Sequence, residues 1–226
     1  MATATDRMSH DSDTAAGATL PVSAELGHVD RIGHLMAAAF ASNPWTDWLT
    51  DGDHADRQQI MPRYFSQLVA AVWDVSSVMV IGDDVGAPDA VAVWMHETAT
   101  MPPPPDQPEA WLGQLCGRHT NRFHALDQAL YQAERGNPPH RHLLFMAVRP
   151  PAQGRALGST LLYDQHARLD RDGVPAYLEA SSARARALYL RHGYRDLRPQ
   201  PFRLPQGPPV WPMWRPSEGL GTGPDD

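Results

Sequence analysis

The stretch HLLFMAVRPPAQGRALGSTLL, His142–Leu162, constrains this chain more than any other part of it. The continuous apolar run from His142 to Val148 reads as a central strand buried on both faces. Pro150 and Pro151 end it. A loop follows, Gln153-Gly154-Arg155-Ala156-Leu157-Gly158, and Leu157, Leu161, Leu162 and Leu169 then recur at helical spacing up to a stop at Gly173. A strand that hands over to a helix in this way leaves the first N–H groups of the helix unpaired, and such groups attract an anion. Two common phosphate loops do not fit. Gly154 and Gly158 have three residues between them and Ser159 follows with no lysine, whereas a nucleoside-triphosphate loop needs G-x-x-x-x-G-K-[ST]. A dinucleotide loop needs G-x-G-x-x-G after a first strand, and this loop lies two-thirds along the chain.

The remaining pattern is mixed. Ala18–Ala24 reads as a short strand. Val29, Ile32, Leu35, Met36, Ala39 and Phe40 form one helical face. Pro44 breaks that helix, so Ser42–Leu49 reads as a loop or short turn carrying Trp45 and Trp48. Met61, Phe65, Leu68 and Val72 define a second helix with Pro62 expected in an early turn. SVMVIGDD and DAVAVWMHE read as a hairpin. TMPPPPDQPE is a stiff connector, and one long helix is expected from Glu109 to Glu134. PAYLEAS reads as a strand, ARARALYLRHGY as a short helix ending at Gly193, and two terminal strands surround LPQGPPVW.

With 226 residues, 42% of them hydrophobic, the chain can build one domain, expected over residues 18–216. Residues 1–17 read as a disordered tail and residues 217–226 as a flexible one. The formal net charge is −7 and no basic block is present, which disfavours nucleic acid as a partner. No apolar run approaches the roughly 18 residues of a membrane span, and the polar N-terminus has no signal-peptide core. Cys116 is the only cysteine, so neither an internal disulfide nor a cysteine-based zinc site is expected, and a cytoplasmic setting fits. The eleven histidines include no H-x-x-x-H or H-E-x-x-H array on a clear helix; the pair in HRH (His140, His142) is a weak signal alone, so no metal is expected.

Gln153–Gly158 resembles the Q/R-x-x-G-x-G/A signature of the GNAT N-acetyltransferase superfamily. YLEASSARARALYLRHGY resembles that family's following strand and helix, which ends Tyr-x-x-x-Gly-Phe/Tyr, here Tyr189, Gly193 and Tyr194. The resemblance runs from about Ala18 to Pro216 and is nearest to the antibiotic-modifying branch that includes puromycin N-acetyltransferase. It departs from the signature at Ala156, where a glycine is usual; alanine is expected to keep helical backbone angles there and to tighten the loop slightly.

The resemblance implies an α/β (α+β) fold, with a predominantly antiparallel, splayed sheet flanked by helices. It also implies direct acetyl transfer from acetyl-CoA to a small-molecule amine, an antibiotic or secondary metabolite. O-acetylation, a longer acyl chain, and a non-catalytic acyl-CoA-binding regulator are the alternatives. In the family, backbone groups of the strand before the loop hold the pantetheine and the thioester oxygen, a role that falls on Met146, Ala147 and Val148. The loop and helix start, Gln153, Gly154, Arg155, Ala156, Leu157, Gly158 and Ser159, would hold the pyrophosphate. Ser182 stands where many members carry a cofactor-binding asparagine, and Ala185 has lost a second such contact. Tyr189 would bind near the sulfur and protonate the departing thiolate. His142 is the candidate base and Glu97 its rival. Trp45, Asp47 and Trp94 are candidates to contact the acceptor, as an aromatic wall with a carboxylate for a cation. A monomer or homodimer is expected.

Overall fold

The computed structural model describes residues 20–82, 87–96 and 108–218. In chain order its elements are β1 (Val22–Ser23), α1 (Val29–Ala39), α2 (Pro44–Leu49), α3 (His54–Ala71), β2 (Ser76–Ile81), β3 (Ala90–Met95), α4 (Pro108–Cys116), α5 (Thr120–Glu134), β4 (Arg141–Val148), α6 (Leu157–Asp172), β5 (Ala176–Ala180), α7 (Ala183–Arg191), β6 (Arg195–Asp196), β7 (Phe202–Arg203) and β8 (Pro209–Arg215). The polyproline connector lies outside the described residues, as do most of the two tails. None of the described helices is long and apolar enough to cross a membrane.

The strands form a sheet in the order β1-β2-β3-β4-β5-β8-β6, with β7 also on β8. Every pairing is antiparallel except β4 with β5. That one parallel junction is short. Only Arg141↔Ala176 and His142↔Tyr177 are in register. Beyond His142 the two strands part, so the sheet is splayed down its middle as expected. A β-bulge sits beside the split: Val93 faces Phe145 and Trp94 faces Leu143, which leaves Leu144 as the extra residue.

Side chains alternate across the sheet and sort into two cores. Val91, Val93 and Met95 of β3 pack with Ile32 and Met36 of α1, Met61 and Phe65 of α3, and Phe123 of α5. Ala90, Ala92 and Trp94 face Leu161 and Leu162 of α6 and Tyr189 of α7. All six β3 residues are buried, which explains why the run reads as continuously apolar.

Three local expectations are corrected. Pro44 does not merely break a helix; it starts α2, whose first turn is capped by the Asn43 side chain accepting from the Trp45 N–H at 2.8 Å. Pro62 sits well inside α3, because Asp53 caps that helix earlier than the apolar pattern suggested, through the N–H groups of Ala55 and Asp56. The helix expected over Glu109–Glu134 is interrupted at Gly117, where φ is +51°, and α5 starts afresh at Thr120.

His166, on the buried face of α6, meets the Tyr194 hydroxyl at 3.1 Å. Burial, helped by the charge of Arg215, pushes its pKa down to about 3. A histidine kept neutral in the fold gives full stability above its unfolded value near 6.5, and loses it as pH falls toward 3. Melting temperature should therefore drop over that window, and His166→Gln should flatten the drop; an unchanged profile in the variant would remove His166 from the account.

Candidate active site

The split between β4 and β5 frees backbone groups. Arg149 N–H donates to the Asp89 carbonyl at 2.8 Å, which makes Asp89 and Arg149 a hydrogen-bonded pair. Antiparallel ladders alternate, so Val91 and Ala147 pair likewise, while Val148 and Met146 turn their N–H and C=O groups away from β3 into the gap. The Val148 carbonyl accords with this direction, because it accepts from the Gln153 side chain of the following loop at 3.1 Å. Of the three strand residues expected to offer backbone groups, Met146 and Val148 turn theirs out of the β3 ladder. Ala147 does not: its N–H is committed to β3 and its side chain is in the core.

The N-terminus of α6 lies at the mouth of the gap. The first intrahelical bond is Thr160 N–H to the Ala156 carbonyl, at 3.0 Å. Leu157, Gly158 and Ser159 therefore have N–H groups with no partner inside the helix. No side chain caps α6, in contrast to α2, α3 and α7. Gly158 faces β4: a Cβ there would lie in ordinary contact with Met146 Cε, at 3.5 Å, and Val148 Cγ2, at 3.8 Å, so the start of α6 packs on the strand that borders the gap. The oriented N–H groups and the positive end of the helix make this a cradle for a diphosphate-like anion.

The loop is held from below by Asp89. Its carboxylate pairs with Arg149 and, at 3.4 Å, with Arg155. Both guanidinium groups are about half-exposed or more, 48% and 62%, so each can also reach an anion at the loop. Gln153 plays a different part from the one expected. Its amide is used on the Val148 carbonyl, fixing the loop to the strand. Ser159 Oγ is hydrogen-bonded with His192 Nε2 at 3.0 Å.

Ala156 departs from expectation. It is left-handed, with φ +61° and ψ +9°, instead of helical. Its Cβ is strained there, at about 1–2 kcal/mol, which is why glycine is usual in such a turn. Ala156→Gly is expected to raise the melting temperature by about 2–4 °C without weakening anion affinity. A lower melting temperature would show that the left-handed turn is wrong.

Tyr189 is buried on α7 and its hydroxyl has no hydrogen-bond partner among the described residues. Burial pushes its pKa up, so it keeps its proton at neutral pH, as a proton donor must. Ser182 is corrected. Its hydroxyl caps α7, accepting from the Ala185 N–H at 3.1 Å, so one of its two lone pairs is committed to the helix.

His142 is also corrected. It lies at the root of the split, where its Nε2 meets Glu179 Oε2 at 2.9 Å and its Nδ1 stands 3.5 Å from Glu134 Oε1. Burial alone would lower its pKa. The two carboxylates outweigh burial and hold it up at about 10. With its two ring nitrogens facing two carboxylates, His142 is not the free base expected. Glu97 lies outside the described residues.

The acceptor candidates separate. Trp94 is fully buried between β3 and α6, with His166 across its ring at 6.2 Å, and lines no cleft. Asp47 is paired with Arg57 of α3, so its carboxylate is already matched to a cation. Trp45 remains half-buried, with its indole N–H on the Pro209 carbonyl at 3.3 Å. Asn43, beside it, donates to Ser181 Oγ at 2.7 Å and so ties the start of α2 to the end of β5. Sequence reasoning missed Glu134, Tyr177 and Glu179. Tyr177 and Glu179 were accessible to it, since they alternate along β5 and share a face; Glu134 carries no local signal.

Residues 107–194, from the start of α4 to just past α7, match the family model described as Acetyltransferase (GNAT) family. Solved structures share the whole architecture. One is a Corynebacterium glutamicum protein described as histone acetyltransferase HPA2 and related acetyltransferase, 23% identical, with TM-score 0.66 over 90% of this chain and 98% of that one. An arylalkylamine N-acetyltransferase 2 from Aedes aegypti is 11% identical, with TM-score 0.59 over 87% and 97%. A PaiA N-acetyltransferase from Thermoplasma acidophilum, in complex with coenzyme A, is 7% identical, with TM-score 0.52 over 88% and 99%. The described chain thus has the GNAT fold, and its central segment, which carries the splayed strand and the uncapped helix, is the part that matches the GNAT acetyltransferase family.

Proposed function

We propose that the protein is an acetyl-CoA-dependent N-acetyltransferase acting on a small-molecule amine. One observation carries this reading: the gap between β4 and β5 opens directly onto the uncapped N-terminus of α6. A coenzyme A molecule combines an extended, amide-bearing arm with a diphosphate. Met146 and Val148 offer strand-like hydrogen bonds to the arm, and Leu157, Gly158 and Ser159 offer N–H groups to the diphosphate. The crystallised complex of the Thermoplasma relative with coenzyme A supports the same ligand here.

The chemistry then follows from the groups that this reading assigns to the site. A backbone N–H on β4 polarises the thioester carbonyl as it gains negative charge. The amine attacks directly, the C–S bond breaks, and Tyr189 supplies the proton to the thiolate. With both ring nitrogens of His142 facing carboxylates, the amine's proton leaves to water. The arylalkylamine named for the Aedes relative and the sequence likeness to the antibiotic-modifying branch both favour a small amine, an antibiotic or related metabolite, as acceptor. Cytoplasmic action as a monomer or homodimer accords with this reading.

The test is release of free thiol from acetyl-CoA across a panel of amines, amine-bearing antibiotics and their hydroxyl-only analogues. Amine-dependent release is expected. Tight coenzyme A binding with no release from any acceptor would replace the enzyme reading with that of an acyl-CoA-binding regulator. Release only with the hydroxyl compounds would replace N- with O-transfer.

A further inference from the structure

We propose that Glu134, His140 and His142 form a binding site for one divalent transition-metal ion of the zinc class. The site stands apart from the acyl-transfer reading and does not depend on it. The two histidines come from the HRH sequence at the entrance to β4 and alternate onto one face of it. Glu134 is the last residue of α5 and reaches down between them. Its Oε1 is 3.4 Å from His140 Nε2 and 3.5 Å from His142 Nδ1, and the three donor atoms all lie within 4.8 Å of one another. Metal–ligand bonds of about 2.0–2.1 Å in a tetrahedron place donors about 3.3 Å apart. The two Glu134–histidine spacings are therefore nearly those of a filled site.

The outer contacts carry the argument further. A histidine that ligates through one nitrogen almost always has its other nitrogen held by a carbonyl or a carboxylate. Both histidines meet this condition, each in one of the two ways. His140 Nδ1 is 2.8 Å from the Pro138 carbonyl, which fixes the tautomer with Nε2 free. His142 Nε2 is 2.9 Å from Glu179 Oε2, and Glu179 is in turn held by the Tyr177 hydroxyl at 2.7 Å. A surface histidine pair gathers no such second set of partners. These rings are almost enclosed, with 9% and 8% of their side chains exposed.

Charge points the same way. Glu134 and Glu179 bring two negative charges into a largely enclosed cluster; a proton on His142 balances one of them, and a divalent ion that displaces that proton balances both. Two nitrogens and one carboxylate oxygen suit zinc or a similar ion, and not calcium or magnesium. Glu134 is the most exposed of the three, at 30% of its side chain, so a water can complete the tetrahedron on its side. The ion would pin the end of α5 to the root of the β4–β5 split.

The experiment uses the full, tag-free chain, stripped with a chelator and returned to chelator-free buffer. Zn2+ is titrated by calorimetry and Co2+ by its visible absorption, with melting temperature followed in parallel. We expect one equivalent of either ion per chain, the intense ligand-field bands of tetrahedral Co2+, and a melting temperature raised by roughly 5–10 °C at a hundredfold excess of Zn2+ over Kd. His140→Ala should abolish stoichiometric binding. Glu179→Gln should keep the stoichiometry and weaken affinity about 10–100-fold. His34→Ala, at an exposed position on α1, should change nothing. Glu134→Gln retains a hydrogen-bond acceptor between the rings, so a folded variant without metal separates loss of a ligand from loss of the fold. Failure of the folded wild-type chain to bind one equivalent overturns the proposal, as does unchanged binding in His140→Ala.

Discussion

Tyr189→Phe is expected to lower the rate of acetyl transfer by about 10²–10³ while coenzyme A affinity stays within roughly threefold. The substitution removes one oxygen and leaves the ring in its place. That ring packs among Leu161, Leu178 and Tyr194 in the core shared by α6, α7 and the sheet, so the fold should tolerate the change. Among the described residues the hydroxyl has no hydrogen-bond partner to leave stranded, which distinguishes it from a structural tyrosine such as Tyr177. Burial keeps the phenol protonated through the neutral range, so its loss should depress turnover without introducing a new pH dependence near 7. Single-turnover thiol release, beside calorimetric titration of coenzyme A, separates the two quantities. An unchanged rate would remove Tyr189 from the chemistry; a matched fall in affinity would make it a binding residue only.

The largest effect on stability is expected from Trp94→Ala. The indole is fully buried on β3 and faces His166 and α6. Truncation of an enclosed tryptophan leaves a cavity that the neighbours fill only in part, and costs about 3–5 kcal/mol. For a chain of this size the melting temperature should fall by roughly 6–20 °C. Acceptor KM in the surviving folded enzyme should hardly move. The opposite outcome, a changed acceptor KM with stability intact, would return Trp94 to the acceptor cleft where sequence reasoning placed it. Urea denaturation followed by circular dichroism gives the first quantity and steady-state kinetics the second.

These two residues show what could be read from the sequence and what could not. The central strand and its loop were legible because backbone geometry writes itself locally. An apolar run ended by prolines, a glycine turn and a helical repeat require only near neighbours. The splayed sheet was implied by the family resemblance that this region and the Tyr189–Tyr194 segment carry. Side-chain roles depend on distant partners, and there the reading failed in a consistent way. Trp94 looked like a cleft residue because an aromatic at a strand end has the same local pattern whether α6 covers it or not. Asp47 looked like a free carboxylate because Arg57 stands ten residues away. His142 looked like a free base because Glu134 and Glu179 reach it from α5 and β5. Ser182 looked like a cofactor contact, yet a serine two residues past a strand is also a common helix cap, and that is its role. Ala156 is the reverse case. Its left-handed angle was written in the family signature, where glycine is usual, and the methyl group was discounted too readily.

The central claim is that the open edge of β4 and the uncapped start of α6 together hold coenzyme A. Amide NMR of the uniformly labelled protein, with and without saturating coenzyme A, tests it most directly. The account predicts the largest amide changes at Met146, Val148, Leu157, Gly158 and Ser159, with Ala147 nearly still because its N–H already belongs to β3. Equal movement of Ala147 with its neighbours, or changes confined to another face of the sheet, would contradict it.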